Sequence, residues 1–266
     1  MMRYKATVSY DGSLYSGWQS QINAHGIQEE IEKALAVMHQ RPVEITAAGR
    51  TDSGVHAVGQ VFHFDSDLQL NSDHFTRALN SLLPITIRMQ EVIAVSDTFH
   101  ARFDCIGKRY DYFITNRKND PFIQKRMKID TAKLDVAYMR SCATVFIGTH
   151  DFTSFTSSRI DPRKPRIKTV TSIQILEEDG YLRIIFEGKA FLRYMVRMMA
   201  QTLIEAGKHH LSKEQIQQML DAKDKHACRY KAEACGLYLM EVRYGGDTSE
   251  SELSYTYPPL HACSRQ

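Results

Sequence analysis

The sequence of 266 residues has only five cysteines, with no closely spaced pair among them. Their number is odd, their positions are scattered, and no Cys-x-x-Cys motif occurs. This pattern argues against both a disulfide framework and a zinc site. We therefore expect reduced, mostly buried thiols and no metal centre.

Long apolar runs are also missing. The N-terminus lacks the apolar stretch of a secretory signal. The most apolar helix candidate, residues 191–206, is interrupted by Arg193 and Arg197 and is too short and too charged to span a bilayer. The expectation is a soluble, unexported, cytoplasmic protein with no membrane partner.

The chain has no strong excess of either charge and no low-complexity segment. Its formal net charge is +3, and its 43% of hydrophobic and 24% of charged residues are near the norm for globular proteins. Neither disorder nor a fibrous repeat is indicated. The slightly basic balance favours an anionic partner without requiring one, and the length suits one large or two modest domains.

Hydrophobic periodicity predicts the order β-α-β-β-α-β in the first hundred residues. Alternation of apolar and polar residues predicts a strand over 3–10, and spacings of three and four predict a helix over 27–38. The other predicted elements are strand-like runs over 43–48 and 59–64, a helix over 71–83 that ends at Pro84, and a strand over 85–95.

The second half repeats this order. The pattern predicts strands over 106–114, 166–176, 181–187 and 237–244, helices over 131–146 and 191–206, and a short helix with a capping box at Ser212. The Asp179-Gly180 turn is a strong hairpin signal. Two β-α-β-β-α-β units indicate the split βαβ, or ferredoxin-like, arrangement.

The predicted fold class is therefore α+β. We expect two ferredoxin-like halves, residues 1–104 and 105–246, whose strands join into one mixed, mainly antiparallel sheet with helices packed on it and a central catalytic cleft. Residues 247–266 are polar and show no periodicity, so they are predicted to be a weakly ordered tail.

One turn concentrates residues suited to chemistry. Between the runs at 43–48 and 59–64, the chain places Arg50, Asp52 and His56 in a turn bounded by Gly49 and Gly54. Glycine permits a positive φ or a close approach to a ligand, and loops held by rigid strands often carry reactive side chains. The alternative is a polar hairpin in which Asp52 only accepts turn hydrogen bonds.

Two familiar site types fit this turn poorly. A triad of Asp52, Ser53 and His56 would pack its members within five residues, which rarely permits the in-line geometry. His56 and His63 lack a known metal-ligand spacing, so packed or surface histidines are the simpler interpretation.

Cations elsewhere could contact RNA. Residues 99–114 interleave cations with aromatic side chains, which suits nucleic acid because rings stack on bases while Lys and Arg contact phosphates. A strand with a tyrosine-rich core face and a solvated basic face would give the same pattern. Residues 159–168 add a basic run. Arg197 lies at the edge of an apolar helix face, where a buried charge needs a partner such as Asp52, unless the arginine is simply exposed.

Five motifs occur in a recognisable order. They are Tyr10-Asp11-Gly12 with Gly17-Trp18-Gln19, Gly49-Arg50-Thr51-Asp52 with Gly54-Val55-His56-Ala57, Phe99-His100-Ala101-Arg102-Phe103 with Arg109-Tyr110-Asp111-Tyr112, Phe191-Leu192 with Met195-Val196-Arg197, and Gly236-Leu237-Tyr238-Leu239. In this order the chain resembles the TruA family of tRNA pseudouridine synthases, and its block at residues 49–57 is highly specific. The resemblance implies a two-part catalytic domain, a homodimer whose subunits share tRNA, and isomerisation of uridine to pseudouridine at about positions 38 to 40 of the anticodon arm.

The resemblance also implies roles for four residues. Asp52 stands at the position of the catalytic aspartate, and Tyr110 at that of the tyrosine that stacks on the target base. Arg197 corresponds to the arginine that pairs with the aspartate, and Arg50 to an arginine that helps to place the flipped nucleotide. Asp52 would abstract the 2′ proton or attack the sugar or the base, and the isomerisation needs no cofactor. The chain departs from the family pattern at Ser53, Ala190, Gln201 and Glu233 without losing a catalytic group.

Two other functions fit parts of the sequence. Ferredoxin-like sheets with aromatic faces also occur in RNA-binding proteins that catalyse nothing, although the aromatic signature of RNA-recognition motifs is absent and an acid in an RNA cleft repels phosphate. A sugar hydrolase using Asp52 would need a second acid across the scissile bond, which Asp11 or Asp65 could supply only through folding.

Overall fold

The computed structural model describes residues 1–118, 120–158, 163 and 165–245. The first part of the chain contains the strands β1 (Met2–Tyr10), β2 (Thr46–Ala47), β3 (His56–Ser66) and β4 (Ile87–Val95) and the helices α1 (Ile27–His39) and α2 (Ser72–Leu82). The predicted order of this part is confirmed. The run at 43–48 is mostly loop, because only its Thr46 and Ala47 pair with β3.

The second part contains six strands and three helices within the described residues. They are β5 (Cys105–Thr115), β6 (Lys128–Ile129), α3 (Val136–Ala143), β7 (Gly148–Asp151), β8 (Ile167–Glu178), β9 (Tyr181–Gly188), α4 (Met195–Gly207), α5 (Lys213–Asp221) and β10 (Leu237–Tyr244). The short strands β6 and β7 were not predicted. Both are too short to show a periodicity, and each adds to a longer neighbour, β6 to β5 and β7 to β8.

Two helices begin later than the periodicity predicts. α3 begins at Val136 because the Asp135 carboxylate accepts a hydrogen bond from the Tyr138 N–H and caps the helix. α4 begins at Met195 because Tyr194 takes a left-handed backbone conformation, φ +67°, that has no place in a right-handed helix. Residues 191–194 therefore form a separate turn before α4.

The ten strands of the described residues form one sheet. Its order is β4-β1-β3-β10-β5-β9-β8-β7, with β2 paired to β3 and β6 to β5. All neighbours are antiparallel except β3 with β10 and β5 with β6. The predicted α+β class, with a mixed and mainly antiparallel sheet, is confirmed. The division into halves at residue 104 stays a prediction.

The pairing of β3 with β10, here called the seam, joins the strands of the first part to those of the second. The paired residues are His56 with Tyr238 and Ala57 with Leu239. Just beyond them, a Cβ on Gly59 would lie 2.5 Å from the Met240 carbonyl oxygen, so only glycine allows the two strands to approach this closely. The seam places the loop before β3 beside α4 and β5.

The helices pack on the sheet through a continuous apolar core. Fully buried members include Ile27, Ile31 and Leu35 of α1, Phe75 and Leu79 of α2, and Met199, Leu203 and Ile204 of α4. Among the described residues, none of the helices combines the length and the apolar character needed to cross a membrane.

Two predictions concern residues that lie wholly or partly outside the described ranges. The predicted tail, residues 247–266, is one of them. The other is the basic run at 159–168, of which residues 163 and 165–168 are described.

Candidate active site

The loop between β2 and β3 carries Asp52 in a fixed backbone. The Thr51 carbonyl oxygen accepts a hydrogen bond from the Trp18 N–H at 3.1 Å, and the Thr51 hydroxyl is hydrogen-bonded to the Tyr10 hydroxyl at 2.8 Å. On the other side, the Val55 N–H donates to the Asp52 carbonyl oxygen at 3.1 Å. These contacts hold the backbone on both sides of Asp52, so its carboxylate has a defined position.

The Asp52 carboxylate faces cations. Arg197 Nη1 lies 3.5 Å from Asp52 Oδ2, and Arg193 Nε lies 3.7 Å from Asp52 Oδ1. Burial raises the pKa of Asp52, whose side chain is 21% exposed, while the charges of Arg197, Arg193 and Lys231 oppose that rise. Without these cations, burial alone would move the carboxyl further towards its neutral form.

Arg197 is held in place by the chain that follows α5. Its side chain is only 11% exposed, and its Nε donates to the Ala232 carbonyl oxygen at 2.8 Å. The Ala232 N–H in turn donates to the Arg197 carbonyl oxygen at 3.0 Å. The predicted pairing of a buried Arg197 with Asp52 is therefore present, and the guanidinium is oriented by a second partner.

Tyr110 lies on β5 and contacts the turn that precedes α4. Its buried ring packs edge-on against Phe191, with centroids 5.4 Å apart. Burial raises the pKa of Tyr110, and the charges of Tyr10 and Asp52 raise it further. Phe191 belongs to the same turn as Arg193, so the Tyr110 ring packs against the segment that carries a cation to Asp52.

The remaining predicted residue, Arg50, is exposed and has no hydrogen bond or ion pair to another described residue. Lys108, a largely buried cation, lies against the backbone just before Arg50. Lys108 Nζ donates to the Ala48 carbonyl oxygen at 2.8 Å, and a Cβ on Gly49 would lie 2.6 Å from the same nitrogen. Burial lowers the pKa of Lys108. A side chain at position 49 would thus have to displace the end of the Lys108 side chain, and Gly49 is not among the residues with a positive φ.

Sequence reasoning assigned no role to two residues of this site, Lys231 and Tyr194. Nothing in their spacing indicates a role. Arg193 was noted only as an interruption of an apolar run, although its distance of four residues from Arg197 could have suggested a shared partner. That spacing is coincidental, because α4 has not begun at Arg193.

The residues of the alternative triad point away from one another. His56 Nδ1 accepts from the Gly12 N–H at 3.1 Å, and its Nε2 donates to the Lys125 carbonyl oxygen at 3.0 Å. Ser53 Oγ donates to the Tyr15 carbonyl oxygen at 3.2 Å. Within the ranges that the structure describes, no group of three His, Cys, Asp or Glu side chains could hold a metal ion.

The two acids that could have served a hydrolase have other partners. Asp65 forms a two-pronged salt bridge with Arg3, with both nitrogen–oxygen distances at 2.8 Å. Asp11 caps a short turn through the Ser13 N–H, and its interactions with His56 and with that turn lower its pKa. The strongest charge effects on Asp52 all come from cations instead.

Comparison with known proteins extends over most of the chain. A sequence model of a family described as tRNA pseudouridine synthase matches residues 6–104 and 142–245. A protein of Listeria welshimeri named tRNA pseudouridine synthase A is 45% identical over 248 residues, which cover 92% of this chain and 100% of the relative. Proteins of the same name are 42% identical in an Exiguobacterium species, over 92% of this chain and 98% of the relative, and 39% identical in Bacillus subtilis, over 91% and 99%.

A solved structure gives a much weaker similarity. A chain from a crystal structure of a Cbf5-Nop10-Gar1 complex aligns with 88% of this chain and 57% of that chain, at 14% identity and a TM-score of 0.31. This value is too low to support an inference. The sequence matches, however, cover the loop of Asp52, the strand of Tyr110 and the helix of Arg197, and on their strength the chain belongs to the tRNA pseudouridine synthase family, whose members are isomerases.

Proposed function

We propose that this protein converts uridine to pseudouridine in the anticodon stem-loop of tRNA, at about positions 38 to 40, with Asp52 as the catalytic residue and without a cofactor. The observation that carries the proposal is the Asp52 carboxylate, which is largely buried yet held between the guanidinium groups of Arg197 and Arg193. An RNA-binding surface gains nothing from such an acid, because a carboxylate repels phosphate.

The reaction suits a single carboxylate. Pseudouridine formation breaks the bond between N1 and C1′, turns the uracil, and forms a bond between C5 and C1′, after which C5 loses its proton to solvent and N1 takes up a proton. Substrate and product are isomers, so neither an oxidant nor an energy source is consumed. An ionised Asp52 begins the sequence by taking the 2′ proton or by attacking the sugar or the base. Arg197 keeps the carboxyl ionised and oriented for that step.

The substrate base must leave its helical stack to reach Asp52. Extrusion of a base costs on the order of a few kcal/mol, and stacking on an aromatic side chain returns about 1–3 kcal/mol. We assign that stack to Tyr110, whose ring packs against Phe191, two residues before the Arg193 that lies 3.7 Å from Asp52. Arg50 is exposed and lacks a protein partner among the described residues, so it is free to take part in placing the flipped nucleotide.

The proposal also includes a homodimer whose two subunits share one tRNA, and a cytoplasmic location. Both rest on the resemblance to the family. Sedimentation equilibrium would give twice the mass of the chain for a dimer, and a single-chain mass at micromolar concentration would contradict it.

The variant Asp52→Ala tests the function. We expect it to abolish tritium release from tRNA that carries 5-tritiated uridine, a loss of at least about 10²–10⁴-fold for removal of a positioned acid–base group. Binding of tRNA should stay nearly unchanged. The matched control is Asp67→Ala, because Asp67 is 59% exposed and its salt bridge with Arg41 lies at the surface.

The outcomes separate the three candidate functions. Pseudouridine in the product RNA, lost in Asp52→Ala, supports the proposal. Free uracil would indicate a hydrolase, and tRNA binding without either product would indicate an RNA-binding protein. Substantial turnover by Asp52→Ala would exclude Asp52 as the catalytic residue.

A further inference from the structure

The turn before α4 gathers more positive charge than Asp52 can neutralise. Arg193, Arg197 and Lys231 surround the ring of Tyr194, with Arg193 Cζ 4.8 Å, Arg197 Cζ 5.4 Å and Lys231 Nζ 4.6 Å from its centroid. All three charges act on the single carboxylate of Asp52. The group therefore carries two positive charges in excess.

The three cations differ in where they face. Arg197 is nearly buried; it forms an ion pair with Asp52 and donates a hydrogen bond to the Ala232 carbonyl oxygen. Arg193 is 52% exposed, and Lys231 is also exposed. Lys231 forms no salt bridge with a described acid, and Glu233, two residues on, pairs with Lys128 at 3.2 Å instead. The excess charge thus lies at the open side of the site, on Arg193 and Lys231.

These two side chains are held in position before any ligand arrives. Arg193 Nη2 donates to the Tyr194 hydroxyl at 3.1 Å. The Arg193 carbonyl oxygen accepts hydrogen bonds from the Ser157 N–H at 3.1 Å and from the Thr156 hydroxyl at 3.2 Å. The ring of Tyr194 provides a face for both cations, since contacts of this length are attractive.

The backbone of Tyr194 is costly to maintain. A residue with a side chain pays roughly 1–2 kcal/mol for the left-handed conformation, and Tyr194 holds it at φ +67°. Strain of this kind persists where the surroundings fix it, and it is frequent at sites that bind ligands. At this turn Arg193 lies 3.7 Å from Asp52, and the Tyr194 ring lies beside both Arg193 and Lys231.

We propose that Arg193 and Lys231, held beside Tyr194, bind two neighbouring phosphodiester groups of the RNA next to the target nucleotide, one cation to each phosphate. We call these three residues the rim. This inference rests on the proposed function, because it takes the ligand to be RNA. The guanidinium group offers two parallel donors that match the oxygens of one phosphate, and the ammonium group of Lys231 neutralises the charge of the next phosphate. Such contacts fix the register of the RNA, so that the flipped nucleotide enters at Asp52.

The salt dependence of tRNA binding tests the rim. Each cation that neutralises a phosphate adds about 0.7–0.9 to the slope of log Kd against log salt. We expect Lys231→Gln and Arg193→Gln each to lower that slope by nearly one and to weaken binding about fivefold near physiological salt. The double variant should lower the slope by nearly two. The probe is an unmodified tRNA transcript, titrated between 50 and 300 mM salt, about the range over which such slopes are measured.

Two further variants separate the rim from a structural role. Arg193→Lys keeps the charge, so the slope should recover even if the affinity does not. Arg77→Gln, an exposed arginine on the outer side of α2, should leave the slope unchanged. Thermal unfolding of each variant shows whether the fold is intact. Any loss of affinity that comes from misfolding lowers the active fraction without changing the slope.

The result would overturn the proposal if both single variants kept the wild-type slope. The slope is measured on binding alone, so it is independent of whether pseudouridine forms. A wild-type protein that makes pseudouridine while its Lys231→Gln and Arg193→Gln variants keep the wild-type slope would disprove the rim and leave the proposed function intact. If the rim variants lowered the slope but the wild-type protein made no pseudouridine, the proposed function would be disproved and the RNA-binding role of the rim would stand.

Discussion

His63 should make the fold sensitive to mild acid. It lies on β3, is 7% exposed, and its Nδ1 accepts a hydrogen bond from the Ala101 N–H at 3.1 Å. Burial, followed by the positive charge of Arg3, lowers its pKa from 6.5 to about 4. The folded state therefore holds His63 neutral at a pH where the unfolded chain already binds a proton.

The direction and the size of the effect follow from this difference. Between pH 6.5 and 4 the unfolded state binds more protons than the folded state, so the free energy of unfolding falls as the pH falls through this range. The contribution of His63 is complete above pH 6.5. From pH 7 to pH 5 its loss amounts to at most about 2 kcal/mol, and partial solvent access to the ring reduces this figure.

Urea unfolding at pH 7 and pH 5 measures the loss. His63→Asn keeps an oxygen that can accept from the Ala101 N–H but cannot titrate, so this variant should be less stable at pH 7 and lose less stability on acidification. His74→Asn, on an exposed face of α2, should behave like the wild type. If His63→Asn and the wild type lost equal stability between the two pH values, the argument from burial would be refuted.

Two further predictions concern the site and the seam. Arg197→Met removes the strongest cation acting on Asp52, so the pKa of Asp52 should rise and the acid limb of the pH profile of kcat/KM should move to higher pH. Turnover at neutral pH should fall roughly 10- to 100-fold, given the strength of a charged hydrogen bond. A variant whose acid limb stays at the wild-type pH would contradict this role. Gly59→Ala pushes a Cβ against the Met240 carbonyl oxygen and should cost about 1–3 kcal/mol in urea unfolding, whereas Gly245→Ala, which meets no atom within 4 Å, should cost far less.

The sequence predicts most of the secondary structure because burial follows its periodicity. The alternating residues of β1 and the stripe of α1 are buried as expected. The errors occur where a single residue overrides the pattern. Asp135 delays α3 through a cap, and the left-handed backbone of Tyr194 delays α4.

The candidate site was predictable only in part. Asp52 lies in a recognisable motif and Arg197 in a segment with a helical pattern, so both were identified from the sequence. The structure brings them together. Lys231 approaches the site from a loop that is close to it only in the folded chain, and no local pattern marks this residue. Most lysine and arginine side chains are exposed to solvent in folded proteins. The sequence alone therefore does not show which of them the fold places beside a carboxylate or an aromatic ring.

The site is expected to form late in folding, because its residues come from both sides of the seam. Asp52 and Arg197 are 145 residues apart in the chain, and their encounter requires closure of a long loop whose entropic cost precedes any gain from contact. During synthesis, a chain that extends to the end of β3 contains Asp52 but not Arg197, which is added only with α4. A chain that ends before α4 therefore carries the acid but lacks Arg197, the buried cation that lies beside it in the full-length protein.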